Sequence, residues 1–129
     1  MPSADPILLA ELPKALGEQT PATFAPGKVI MSAGAVGAFM YVVTKGRVAI
    51  SIGDQVVERI GAGGVFGEMA LVDRAARAAS ASAERDCELL SIGRADFLEL
   101  VKNKPQFGAS LLKSIADRMQ YAAQQVAKL

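Results

Sequence analysis

Three residues carry the strongest chemical signal in this chain of 129 residues: Gly67, Glu68 and Arg77. Arg77 supplies a permanent charge and a planar fork that matches pairs of phosphate oxygens. Gly67 has no Cβ, so backbone there can approach a ligand closely. The stretch from Glu68 to Val72 can form one helical turn. The free N–H groups at such a terminus attract phosphate through hydrogen bonding and dipole together. A carboxylate at the same place repels a bare phosphate. Glu68 makes sense when it accepts hydrogen bonds from sugar hydroxyls, so the implied ligand carries phosphate and ribose close together. Taken singly, Arg77 also reads as a surface charge and Glu68 as a favourable charge at a helix N-terminus. Arg74, in the same loop, reads as facing solvent.

Other chemistries lack their residues. The chain has no histidine, which removes Ser-His-Asp and Cys-His nucleophiles and His-based zinc or haem sites. It also excludes cupin-like enzymes on a similar roll, which need His-rich metal sites. The single Cys87 forms no internal disulfide, and it reads as a small apolar group on a strand. Gly61 and Gly63 start a dinucleotide fingerprint that Phe66 breaks, since the last glycine is missing. Gly27-Lys28 is not a P-loop, because Ala22 and Val29 occupy the positions of the first glycine and the hydroxyl residue. No catalytic constellation and no metal site emerge. With 14 basic against 13 acidic residues the net charge is +1, so no global field draws nucleic acid or an anionic membrane. Hydrophobic residues are 51% of the chain, but 23 of them are alanines, so large core side chains are fewer than that fraction implies. No apolar run approaches the ~18 residues of a membrane span. The opening Met1-Pro2-Ser3 has no basic n-region. A cytoplasmic protein without a membrane segment is the expectation.

The elements that must position the three residues follow from period and punctuation. The length fits one domain. Asp5 and Pro6 open a short helix over Ile7 to Gly17, limited by Pro13. Thr20 to Thr23 reads as a linker, so residues 1–23 form an N-terminal helical segment. From 24 to 93 short strands alternate with glycine turns: Lys28 to Met31, Phe39 to Thr44, Arg47 to Ile52, Gln55 to Ile60, Ala78 to Ala83 and Cys87 to Ile92. This pattern predicts a mainly β jelly roll (a double-stranded β-helix) with flanking N- and C-terminal helices. The ligand-binding segment at 61–80 lies inside it. Residues 94–129 are helical, first over Arg94 to Lys102 and then, after Pro105, over Gln106 to Ala127. Leu112, Ile115, Met119, Ala122 and Val126 recur at heptad spacing. The seam packs on its own domain, or serves as a dimer contact or a movable lid. At barely three heptads it is marginal as a free coiled coil.

With these residues in view, the sequence resembles the cyclic nucleotide-binding domain family. That family is shared by bacterial catabolite activator-type regulators, protein kinase A regulatory subunits and cyclic-nucleotide-gated channels. The resemblance runs from Phe24 to Met119. It is strongest over Phe66-Gly67-Glu68-Met69-Ala70-Leu71 and Arg77-Ala78-Ala79, which looks like the family's phosphate-binding cassette. The ten-position step from Gly67 to Arg77 resembles the kinase regulatory subunits. Phe24 to Ile30 looks like the family's first strand, and Met40 to Val48 like its hairpin.

The resemblance implies roles. Arg77 pairs with the cyclic phosphate and Glu68 binds the ribose 2′-hydroxyl. The backbone of Gly67, Met69 and Ala70 lines phosphate and sugar, while Ala78 and Ala79 flank the phosphate. A Ser or Thr after the arginine tends to help guanine binding in the family. Ala78 has no hydroxyl, which favours cAMP over cGMP. The C-terminal helix meets the purine as a lid, with Arg118, Met119 and Tyr121 as candidates. Arg118 stacks on the base through its guanidinium plane, or is simply a solvated helix charge. Ala76 replaces a common proline, which loosens the cassette. Gly64 replaces a frequent aspartate, and Ser32-Ala33-Gly34 replaces Glu-Gly-Asp, a change that alters only a loop. None of these removes a ligand contact.

The expected function is a regulatory module, with no cofactor beyond the cyclic nucleotide itself, whose C-terminal helix switches on binding. It reports to a partner protein or to a second copy in a homodimer. The competing expectation is a scaffold of the same fold that binds no nucleotide and acts through protein contacts. Only one long helix follows the roll, so no recognition helix is available and this chain alone is not expected to bind DNA.

Overall fold

Among the described residues, eight strands build the roll: β1 (Ala22–Phe24), β2 (Val29–Met31), β3 (Phe39–Lys45), β4 (Arg47–Ile52), β5 (Gln55–Gly61), β6 (Val65–Phe66), β7 (Ser80–Ala83) and β8 (Cys87–Gly93). Two helices follow, α1 (Arg94–Asn103) and α2 (Pro105–Ala127). The structure is a computed structural model that describes residues 20–68, 76–77 and 79–128. The N-terminal helix expected over Ile7 to Gly17 lies outside the described residues.

The strands form two antiparallel four-stranded sheets, ordered β1-β8-β3-β6 and β2-β7-β4-β5. This is the jelly roll that the strand spacing predicts. Its stability comes from burying the first sheet on both faces. Side chains alternate across a strand. Met40 and Val42 of β3, Val65 of β6, and Leu90 and Ile92 of β8 point to one side, where Leu100 of α1 and Phe107 of α2 cover them. Val43, Phe66, Cys87 and Leu89 point the other way and meet Val48, Ile50, Ile60, Ala81 and Ala83 of the second sheet. Both faces being buried explains why β3 and the middle of β8 read as nearly continuous apolar runs. Cys87 takes the strand position expected of it. It is buried, and its Sγ–H donates to the Arg47 carbonyl oxygen at 3.1 Å.

Four local expectations change. Ala22 and Thr23 are not linker: they pair with Leu89 and Glu88 and so belong to β1. Nor is Phe24 to Ile30 one strand. A turn at Gly27, whose N–H donates to Ala83 O at 2.7 Å, divides it into β1 and β2. The strand expected from Ala78 begins at Ser80, and two-residue β6 was not anticipated.

Gly46 turns the chain between β3 and β4 at φ +92°. A Cβ there would strike the Asp86 carbonyl oxygen and come within 2.9 Å of Cys87 Sγ. Both the left-handed backbone and the contact with a rigid carbonyl oppose a side chain. Gly46→Ala should lower unfolding free energy in urea by about 2 to 4 kcal/mol.

Candidate functional site

The site is assembled from the two ends of the 67–77 segment. At its start, β6 sets Val65 into the helix-side core and Phe66 into the inter-sheet core. Phe66 is fully buried and its ring stacks on Tyr41, its cross-strand partner, at 5.2 Å between centroids. The chain therefore leaves the sheet at a fixed point, directly before Gly67 and Glu68. Gly67 has φ +77°, a conformation that other residues adopt only under strain. Glu68 is half-buried.

At the far end, the Arg77 backbone is held by the loop between β2 and β3. Its N–H donates to Ala35 O and its carbonyl accepts from Gly34 N–H, both at 2.8 Å. Val36 and Ala76 form an antiparallel bridge beside them, and Ala33 N–H donates to Ser80 Oγ at 2.9 Å. The side chain returns to the start of the segment. Nη1 donates to Gly67 O at 3.0 Å and Nη2 to Phe39 O at 2.8 Å. Gly67 and Arg77 are thus brought together across ten positions of sequence.

Both guanidinium bonds end on neutral carbonyl oxygens. The charge faces a cleft of about 580 Å³ whose lining includes Met31, Val36, Gly37, Tyr41 and Arg77. That volume lies in the usual range for small-molecule sites. A cleft lined by apolar and aromatic side chains and, among its described residues, by one cation suits a ligand with an anionic end and a flat, weakly polar body.

The roll side of this cleft was not legible beforehand. The loop at Ser32-Ala33-Gly34 lies beside the site, since Gly34 N–H and Ala35 O hold the Arg77 backbone while Ala33 N–H donates to Ser80 Oγ. The glycines at 34 and 37 were the available signal. Of the other expected ligand contacts, Ala79 is half-buried and packs on the inter-sheet core. Met69, Ala70 and Ala78 lie outside the described residues, as does Arg74. So do the side chains of Arg118, Met119 and Tyr121 on α2. Within the heptad seam, Leu112 is 70% exposed, so at that position the seam does not pack on the roll. The side chains of Ile115, Met119, Ala122 and Val126 lie outside the described residues. Among the described residues, no helix is long and apolar enough to cross a membrane.

Comparison with known proteins identifies the family. The profile of the cyclic nucleotide-binding domain family matches residues 21–104. A cyclic nucleotide-gated potassium channel of Rhizobium etli is 36% identical over 110 residues, covering 85% of this chain and 30% of the channel. The cyclic AMP receptor protein of Thermus thermophilus is 36% identical over 104 residues, covering 77% of this chain and 48% of that protein. A solved structure described as "A cyclic-GMP-dependent signalling pathway regulates bacterial phytopathogenesis" superposes with a TM-score of 0.73 at 30% identity, covering 88% of this chain and 95% of that one. The chain thus spans less than half the length of either curated relative. It belongs to the cyclic nucleotide-binding domain family. It is a regulatory, non-catalytic module with helices C-terminal to its roll.

Proposed function

We propose that the cleft binds a 3′,5′-cyclic nucleotide, with cAMP preferred over cGMP. Arg77 takes the cyclic phosphate and Glu68 the ribose 2′-hydroxyl. The backbone of Gly67, Met69 and Ala70 lines phosphate and sugar, and Ala78 and Ala79 stand beside the phosphate. The observation that carries this is the Arg77 guanidinium, held at the cleft by two neutral carbonyls. An anionic oxygen is a stronger acceptor than a carbonyl, so a phosphate gains from a cation already aimed. Because the side chain is pre-seated, less ordering opposes binding.

The helix α2 then closes on the base through Arg118, Met119 and Tyr121 and reports to a partner protein or a second copy. The nucleotide drives that closure only by binding the closed state more tightly than the open one. The free thiol of Cys87 suits a reducing compartment such as the cytoplasm.

The base preference rests on Ala78, which offers guanine no hydroxyl. Calorimetric titration with cAMP and cGMP tests both levels of the proposal. The expected result is saturable binding with cAMP tighter. One hydroxyl hydrogen bond is worth about 1 kcal/mol, or roughly fivefold. Ala78→Thr should therefore narrow the cAMP/cGMP ratio by about fivefold. Folded protein that binds neither nucleotide would leave the protein-contact scaffold as the better account.

A further inference from the structure

Gly37 is the place where the Arg77 side chain meets the loop between β2 and β3. A Cβ built on Gly37 would fall on the guanidinium itself, overlapping Nε, Cζ and Nη2 of Arg77. Its backbone gives no reason for glycine, since Gly37 is absent from the residues with positive φ. The reason is space. The missing side chain leaves a seat in which the flat guanidinium lies with Nη1 on Gly67 O and Nη2 on Phe39 O. A Cβ on Gly67 would also approach Nη1, at 2.8 Å. The guanidinium is therefore bounded by two glycines 30 positions apart in sequence, one at each wall.

We propose that Gly37 is a positioning residue for the anion site: its lack of a side chain fixes where the Arg77 guanidinium sits, and so sets the affinity for the phosphate of the ligand. The proposal rests on the cyclic nucleotide reading above. It assigns Gly37 no contact with the ligand; the residue acts only through Arg77.

The site's construction separates this role from a folding role. What a Cβ at Gly37 displaces is the far end of a long, flexible side chain rather than backbone. The fold yields there easily, while the guanidinium leaves both carbonyls and the aim is lost. Charge-assisted, paired hydrogen bonds depend steeply on geometry, so Gly37→Ala should weaken cyclic nucleotide binding about 10-fold or more. Its thermal midpoint should fall by less than about 3 °C.

A double-mutant cycle decides whether the effect runs through Arg77. Lys at position 77 keeps the charge on a slim stem without the flat group that fills the seat. In the Arg77→Lys background, Gly37→Ala should change affinity less than about twofold. Equal losses in both backgrounds would overturn the proposal, because Gly37, which lines the cleft, would then act through the loop or directly on the ligand. Unchanged affinity in Gly37→Ala would overturn it too.

A readout without nucleotide covers failure of the functional reading itself. In protein labelled with ¹⁵N-arginine, the Arg77 guanidinium N–H signals should be slowed in exchange by their carbonyl partners. Gly37→Ala should abolish that protection. If wild-type protein binds no cyclic nucleotide, the binding proposal falls, and the exchange measurement still decides whether Gly37 seats the guanidinium. Protection retained in Gly37→Ala would overturn the positioning role.

Discussion

Arg77→Ala should weaken cyclic nucleotide binding by about 100-fold or more while the roll stays folded. The size follows from what is removed. A paired, charge-assisted contact to an anion contributes about 1.5–3 kcal/mol for each hydrogen bond to a charged group. Among the described residues lining the cleft, Arg77 is the one cationic side chain. The folding cost is small for an equally specific reason. Arg77 is half-buried, and its bond to Phe39 O is exposed, so water replaces much of what the guanidinium donates. Loss of stability should stay near 1 kcal/mol. Titration calorimetry and urea unfolding on the same preparation separate the two effects. Arg77→Lys should fall between, about 10-fold weaker than wild type, because it keeps charge and loses the fork. Undiminished affinity in Arg77→Ala would remove the anion site from this cleft.

The largest expected loss of stability is at Phe66. Its side chain is fully buried between the sheets and stacks on Tyr41. Truncating a buried Phe to Ala costs about 3–5 kcal/mol through lost transfer energy and the cavity left behind. Domains of this size are stable by only about 5–15 kcal/mol, so Phe66→Ala sits near the edge of folding. It also loosens the anchor directly before Gly67 and Glu68. Affinity should therefore fall together with the urea midpoint. Saturating nucleotide should recover part of the stability, by about 2.7 kcal/mol at 100 times the dissociation constant. A loss below about 1 kcal/mol would mean that the neighbouring core collapses into the space.

The long strands were legible because their burial imposes a pattern. Phe39 to Thr44 and Cys87 to Ile92 reappear almost unchanged as β3 and β8, which are covered on both faces. β1 and β6 escaped because two or three residues cannot express a period of two. They exist through their partners: Ala22 to Phe24 against β8, and Phe66 against Tyr41. At the site, Gly67 and Arg77 were legible because one short stretch of chain holds both. The seat at Gly37 was not. It forms only when residue 37 meets residue 77 in space, and in one sequence a glycine between Val36 and Ala38 looks like any turn.

The anchoring of α2 has a mechanical consequence. Its 23 residues make a rod of about 34 Å. Phe107, in the first turn, is buried in the core beside Phe97, and Gly108 lies against Val101 of α1. Leu112, five residues on and about 140° round the helix from Phe107, is 70% exposed. The described anchor of α2 is thus in its first turn. A change of about 10° in the axis at Phe107 carries the other end roughly 6 Å, about the diameter of one helix backbone. A rotation at Phe107 small enough to keep its packing on Phe97 would be amplified along the rod into a displacement several times larger at the far end.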